Sequence, residues 1–243
     1  MNAIQQLVIG AALATGASAT MTFSDPGLAT PLAIPDHDAA GILRTLAVSG
    51  LDGTTRYAVD VALNIQGSGY GGYVGDLYAY LAHQTPSGAY AMTVLLNRPG
   101  RSDTQLSGYD DTGLTITLSD SAAADIHTYQ SQPGYQLAAT TGALTGTWQP
   151  DRRLTNPDDV VSSDARAAIS FDEMVHGMAN PDPNGYWYIF VADMQSGATM
   201  QLNSWSVSFA ELSAVPEPAS VLGTMGLLAG GLLLRTRRRK RVA

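Results

Sequence analysis

The chain has 243 residues and a formal net charge of −8, with 21 acidic residues against 13 basic ones. Six of the basic residues fall in the last nine positions, so residues 1–234 carry a net charge of −14, which would repel the phosphates of a nucleic acid. No cysteine is present, which excludes disulfides, thiolate metal centres and cysteine catalysis.

The first 19 residues have the pattern of a secretory signal peptide. Leu7 to Ala14 is a short apolar run, and Ala17-Ser18-Ala19 matches the small-residue site that signal peptidase cuts. The stretch from Met1 to Gln6 has no Lys or Arg, which departs from the usual pattern. We predict a signal peptide at 1–19, followed by a short N-terminal segment at 20–33.

Alternation of apolar and polar residues predicts β-strands through most of the chain. From Tyr57 to Ile65 the odd positions are apolar and the even ones are small or polar, as in a strand with one buried face. The same alternation recurs at Leu77-Ala79-Leu81, Tyr90-Met92-Val94-Leu96, Leu114-Ile116-Leu118, Trp187-Ile189-Val191 and Trp205-Val207-Phe209. Turn dipeptides such as Pro99-Gly100 and Asn184-Gly185 separate the strands. The sequence therefore predicts an all-β sandwich or jelly roll.

The segment from Ser121 to His176 is less regular than the rest. Asn156 to Asp159 has the composition of a helix N-cap, so a short helix through Val160 to Ala168 is one interpretation, and other arrangements stay open.

The sequence has no recognisable catalytic constellation. It lacks a Gly-x-Ser-x-Gly elbow, and its four histidines, at 37, 83, 127 and 176, have no spacing that suits a zinc-binding helix. We place each histidine in a loop or at the surface. The glycine-rich stretch Gly67 to Gly72 has no following Lys-Ser/Thr and is predicted to be a hairpin loop. We therefore expect that the protein is not an enzyme.

A series of short motifs runs along the predicted strands. They are Ile34-Pro35-Asp36, Val48-Ser49-Gly50, Gly75-Asp76-Leu77, Tyr80-Leu81, Pro86-Ser87-Gly88, Gly108-Tyr109-Asp110-Asp111, Gly146-Thr147-Trp148-Gln149-Pro150, Asn184-Gly185-Tyr186-Trp187, Val191-Ala192-Asp193 and Asn203-Ser204-Trp205. Their order resembles the P domain, or P/Homo-B domain, of proprotein convertases and many bacterial subtilisin-like proteases. The resemblance implies a jelly-roll β-sandwich of the galactose-binding-like kind over residues 34–213, often with a structural calcium ion. In those proteases the domain stabilises its catalytic neighbour.

Aspartates near strand ends are candidate calcium ligands. Calcium prefers several hard oxygens, which Asp76 and the consecutive Asp110 and Asp111 can supply. Asp36 with Asp38 is a second possibility. The alternative is that these residues form Asx turns and cap loops.

Four tyrosines suggest an aromatic platform. Tyr70, Tyr73, Tyr78 and Tyr80 lie close together in sequence, and aromatic rings can stack on the apolar faces of sugar rings. The alternative is that they pack against neighbouring side chains.

The C-terminal 30 residues have three parts. Val215, Pro216, Glu217 and Pro218 cannot continue a strand or a helix interior. From Ala219 to Leu234 there is no charged residue, and as a helix this run nearly crosses a hydrocarbon core of about 30 Å. The basic residues that would hold the end in the cytoplasm follow: Arg235, Arg237, Arg238, Arg239, Lys240 and Arg241.

This three-part order resembles the PEP-CTERM sorting signal of exopolysaccharide-making Gram-negative bacteria, here at residues 214–243. The resemblance implies that an exosortase cuts near Pro216 to Pro218, and that the protein passes through the inner membrane to the cell surface or the medium. We predict an exported, non-catalytic β-sandwich module of the envelope or polysaccharide matrix, with signal peptidase and an exosortase as processing enzymes. The alternatives are an accessory domain for a separately encoded subtilisin-like protease and a carbohydrate-binding module.

Overall fold

The computed structural model of the chain describes residues 19–68 and 71–212. Those residues form ten strands, one α-helix and three short 3-10 helices. The strands are β1 (Thr20–Ser24), β2 (Leu32–Ile34), β3 (Asp38–Val48), β4 (Tyr57–Ser68), β5 (Leu77–Gln84), β6 (Tyr90–Asn97), β7 (Gly113–Ser119), β8 (Leu144–Trp148), β9 (Gly185–Asp193) and β10 (Thr199–Glu211). The α-helix is α1 (Phe171–His176), and the 3-10 helices are Pro26–Leu28, Val74–Asp76 and Ile126–Ser131.

The strands form two sheets that pack as a sandwich. Sheet A has the order β1-β10-β4-β7-β8, with β2 also paired to β10, and its pairs are antiparallel except β7 with β8. Sheet B has the order β3-β9-β5-β6 and is antiparallel throughout. A mostly β protein with two layers is thereby confirmed, while the jelly-roll order of the strands stays a prediction.

The alternating apolar residues meet between the two sheets, as the sequence pattern requires. In β4 the side chains of Tyr57, Val61 and Ile65 are at most 1% exposed, and β5, β7, β9 and β10 bury their predicted faces in the same way. Trp187 of sheet B packs edge to face on Phe209 of sheet A, with ring centroids 5.5 Å apart. These contacts confirm the core predicted for five of the six alternating segments.

The prediction for β6 is wrong in its first half. Tyr90 and Met92 are exposed, while Ala91 and Thr93 face the core. The cause is a β-bulge: Ala79 pairs with Leu96 but Tyr80 pairs with Val94, so Leu95 is an extra residue in β6. An extra residue shifts the alternation by one position, which turns the side chains before it to the opposite face.

The helix suggested at Val160 to Ala168 does not form. The carboxamide of Asn156 accepts from the backbone N–H of Asp158, and Asp164 accepts from the N–H of Val161, so this segment consists of turns. Side chains that bond to their own backbone in this way compete with a helix. The short helix comes later, as α1, where Ser170 and Glu173 make a capping box.

The segment 20–33 contributes strands to sheet A. β1 pairs with β10 from Thr20 opposite Ala210 to Ser24 opposite Ser206. β2 pairs with an earlier part of the same strand, where Leu32 lies opposite Leu202. The described strands therefore begin at Thr20 rather than at the predicted domain start of Ile34.

No helix among residues 19–68 and 71–212 is long and apolar enough to cross a membrane. The span predicted from Ala219 to Leu234 lies outside the described residues, as does the predicted signal peptide up to residue 18.

Candidate functional sites

Three aspartates lie near one another where β5 begins and β9 ends. Asp193 is the last residue of β9 and pairs with Leu77, the residue after Asp76, and Asp36 lies in the turn before β3. Asp193 is fully buried and Asp76 is 3% exposed, whereas Asp36 is exposed. We call Asp36, Asp76 and Asp193 the acidic cluster.

The two buried carboxyls of the acidic cluster differ in their partners. Asp76 faces the buried Arg98, with Oδ1 3.9 Å from Nη2. Asp193 accepts one hydrogen bond, from the backbone N–H of Gln195 at 3.2 Å, to Oδ1. Its Oδ2 is buried and has no hydrogen-bond partner within the part of the chain that the structure describes. A buried carboxylate oxygen without a partner favours the protonated, neutral form.

Burial and the neighbouring charges in the acidic cluster also favour the protonated carboxyls. Burial raises the pKa of Asp193 to about 7, and the negative charges of Asp76 and Asp36 add to the rise. Burial also raises the pKa of Asp76 to about 6, against the lowering effect of Arg98. These two carboxyls therefore change charge near neutral pH, far above the usual range of an aspartate.

The predicted calcium ligands are not brought together. Asp110 is exposed, and Asp111 accepts hydrogen bonds from the hydroxyl of Tyr129 and the carboxamide of Gln130. Both oxygens of Asp36 lie near the backbone N–H of Gly197, at 3.2 and 3.4 Å. Across residues 19–68 and 71–212, no three His, Asp or Glu side chains lie close enough to hold a metal ion. Asp111 is already bonded to Tyr129 and Gln130, and Asp76 faces Arg98, so these carboxylates do not suit a calcium ligand set. Calcium binding stays a prediction.

Two of the histidines are buried, which corrects the expectation that all lie in loops or at the surface. His83 in β5 is fully buried and stacks on Trp187, with ring centroids 4.2 Å apart. Burial lowers the pKa of His83, so the ring is neutral in the core. The sequence pattern missed it because His83 stands at an inward position of a strand that was identified only up to Leu81.

His127 belongs to a buried charge network. Its Nδ1 lies 2.8 Å from Oδ2 of Asp151, and Nη1 of Arg153 lies 3.1 Å from the other oxygen of that carboxylate. A His–Asp pair is also part of many hydrolase sites, in which the second ring nitrogen faces a nucleophile. Here Nε2 of His127 lies 3.0 Å from the backbone oxygen of Arg101, and both side chains of the pair are fully buried. The network therefore anchors the irregular segment between β7 and β9, and the absence of enzymatic activity stays a prediction.

A second His–Asp pair lies within α1, at the surface. Nδ1 of His176 is 2.9 Å from Oδ1 of Asp172, which also accepts from Arg56 at 2.7 Å. The backbone N–H of Tyr57 donates to Nε2 of His176 at 3.4 Å. Because both ring nitrogens are engaged, this pair ties α1 to the start of β4.

The outer face of sheet B is aromatic. We call the large outward residues of this sheet the aromatic face: Leu43, Tyr78, Tyr80, Gln84, Tyr90, Met92, Tyr186, Tyr188 and Phe190. Tyr80 and Phe190 stack at 4.9 Å, and Tyr78 touches both rings at 6.4 Å. Of the tyrosines in the predicted platform, Tyr78 and Tyr80 lie on this face, Tyr73 lies in the loop before β5, and Tyr70 lies outside the described residues.

The outer face of sheet A has a different chemistry. Its outward side chains are short and polar, and include Ser206 and Ser208 of β10, Asn64 of β4, and Thr115 and Thr117 of β7. The two faces of the sandwich therefore present different surfaces to a partner.

The comparisons with known proteins bear on the end of the chain. Residues 214–240 match the PEP-CTERM protein-sorting motif, which confirms the predicted sorting signal. The comparison with curated proteins found no match. The matched residues lie outside those that the structure describes, including Val215, Pro216, Glu217, Pro218 and the basic residues from Arg235 to Arg241. The motif indicates an exported protein that is held in the membrane and processed by an exosortase on its way to the surface. The P-domain resemblance, the signal peptide and a Gram-negative source stay predictions.

Proposed function

We propose that the chain is the precursor of a non-catalytic β-sandwich that is displayed on, or released from, the bacterial envelope. In this proposal signal peptidase removes residues 1–19, and an exosortase acts near Pro216 to Pro218. The single observation that carries it is the sorting motif at residues 214–240. The motif begins after β10 has ended at Glu211, so processing leaves the paired strands whole.

The pairing of the two ends of the fold supports this proposal. β1 begins at Thr20, directly after the predicted cleavage site at Ala19, and Thr20 lies opposite Ala210 in β10. Both predicted cuts thus fall just outside strands that are hydrogen-bonded to each other. The protease-accessory alternative rests on the P-domain resemblance alone.

An epitope tag after Ala243 tests the processing step. In a host with an exosortase, we expect the mature protein to lose the tag while an antibody against the sandwich still detects it. Replacing Pro216, Glu217 and Pro218 with Ala should retain the tag on a membrane-bound form. The proposal is contradicted if the mature protein keeps the tag in both the native and the substituted chain. The C-terminal segment would then be a plain membrane anchor.

A further inference from the structure

We propose that the aromatic face of sheet B binds a neutral polysaccharide chain. The proposal concerns a surface of the sandwich itself, so it holds or fails independently of how the C-terminal motif is processed.

The most exposed part of the aromatic face is a row of three residues across neighbouring strands. Gln84 of β5 lies in the middle of this row, opposite Tyr186 of β9 on one side and Tyr90 of β6 on the other. Tyr186 is 52% exposed and Tyr90 is 59% exposed. Neighbouring strands are about 4.8 Å apart, so the two tyrosines stand about 10 Å apart with the amide between them. This spacing suits the first and third of three successive sugar rings in an extended chain, one on each aromatic side chain, with the middle ring beside the amide.

The amide in this row is held in place. The hydroxyl of Tyr188, in the next row of β9, donates to Oε1 of Gln84 at 3.3 Å. That bond orients the carboxamide and leaves Nε2 to donate to a sugar hydroxyl. In the same row as Tyr188, Ala82 lies between Tyr188 and Met92.

A groove continues from one end of the row. It has a volume of about 470 Å³ and is lined by Tyr186 and Gln84 together with Ala47, Ser49, Pro86 and Gly88. Sites for small ligands are concave, mostly apolar, and contain a few polar groups that fix orientation. The groove has this composition, with the amide of Gln84 as the orienting group.

Charge selects the class of polymer. Every outward side chain in the central part of sheet B is uncharged. The stretches concerned are residues 43–47 of β3, 186–190 of β9, 78–84 of β5 and 90–94 of β6. The rest of the protein is strongly acidic, with a net charge of −14 over residues 1–234. An anionic polysaccharide would be repelled, whereas a neutral one meets only rings and hydrogen-bonding groups. Tyrosine suits such a ligand because it offers an apolar ring and a hydroxyl together.

Native gel electrophoresis tests the proposal. The full-length chain, kept in non-ionic detergent, is run through gels that contain a polysaccharide. The neutral probes are hydroxyethylcellulose, dextran, galactomannan and arabinogalactan, and alginate is the anionic probe. We expect at least one neutral polymer to retard the protein, alginate not to, and added salt to leave the retardation unchanged. Tyr186→Ala combined with Tyr90→Ala should weaken the apparent affinity at least tenfold.

Matched variants separate stacking from folding. Tyr73→Ala removes a tyrosine that is 45% exposed but lies off the aromatic face, and it should bind like the native chain. The two Tyr→Phe changes at 186 and 90 keep the rings and should retain most of the binding, while Gln84→Ala should reduce it. Melting curves of all variants should stay close to that of the native chain because the side chains are half-exposed.

Three results would overturn the proposal. One is that no neutral probe retards the native chain. Another is that the double Tyr→Ala variant is retarded as strongly as the native chain. The third comes from light scattering over a range of concentrations: self-association of the native chain that the double variant abolishes would make the face an interface between copies.

Discussion

Replacing Asp193 with Asn should stabilise the protein at alkaline pH and leave its stability at acidic pH unchanged. In the native chain Asp193 is fully buried and its Oδ2 has no partner among the described residues. Asn has nearly the same shape and carries no charge.

The pKa of Asp193 sets the size and the sign of the effect. The fold raises this pKa from the ordinary 3.8 to about 7, so the folded protein holds the proton more tightly than the unfolded chain. The free energy of unfolding therefore falls as pH rises from about 4 to about 7, and stays low above that. Because one pKa unit is worth about 1.4 kcal/mol, the loss has an upper bound of about 4 kcal/mol. We expect Asp193→Asn to recover about 2–4 kcal/mol at pH 8.

Urea unfolding, followed by tryptophan fluorescence at pH 3.5, below the unfolded pKa of Asp193, and at pH 8, measures both free energies. Trp187 and Trp205 are at most 1% exposed and report the loss of the core. Asp103→Asn, which removes a negative charge at an exposed position, is the matched control for net charge. If Asp193→Asn lowered the stability equally at both pH values, the carboxylate would be ionised and favourably bound in the fold, and the reasoning would be refuted.

Two further predictions follow from the core and from the predicted calcium ligands. Trp187→Ala and Trp205→Ala should each lower the free energy of unfolding by about 3–5 kcal/mol, the usual cost of deleting a large core aromatic, and a loss below about 1 kcal/mol by urea titration would contradict the packing. Asp111→Ala leaves the buried hydroxyl of Tyr129 without its acceptor and should cost about 1–3 kcal/mol in calcium and in chelator alike. A rise in the melting temperature of the native chain on adding calcium, abolished by Asp111→Ala, would instead support the calcium-ligand prediction.

The sequence predicts the core wherever a strand is straight. In β4, β5, β7 and β9 the alternation of apolar residues identifies the buried face, and in β10 it does so from Trp205 to Phe209, after the irregularity between Leu202 and Ser204. The pattern fails in β6 because of the bulge at Leu95. That bulge depends on the register between β6 and β5, which the residues of β6 alone do not reveal. Tyr90 and Met92 look like core residues only if that register is ignored.

The candidate sites are less predictable because they depend on long-range pairing. Asp193 and Asp76 are more than 100 positions apart, and only the pairing of β5 with β9 makes them neighbours. The aromatic face has a clearer signal, since Tyr186 and Tyr188 alternate with Trp187 and Ile189, so both faces of β9 carry large apolar or aromatic residues. What the sequence does not reveal is that, in the described structure, sheet A covers the inner face and leaves Tyr186 about half exposed.

The position of β10 has a mechanical consequence. A chain held by its C-terminal end transmits tension into the fold through Glu211, the last residue of β10. β10 lies between β4 on one side and β1 and β2 on the other, and it pairs with β4 from Thr199 to Glu211 with one irregularity. A pull along the strand therefore loads rows of hydrogen bonds on both sides at once, in shear, rather than opening them one after another. Because unfolding under force is governed by the height of the unfolding barrier, this arrangement favours a long lifetime for a tethered module under flow.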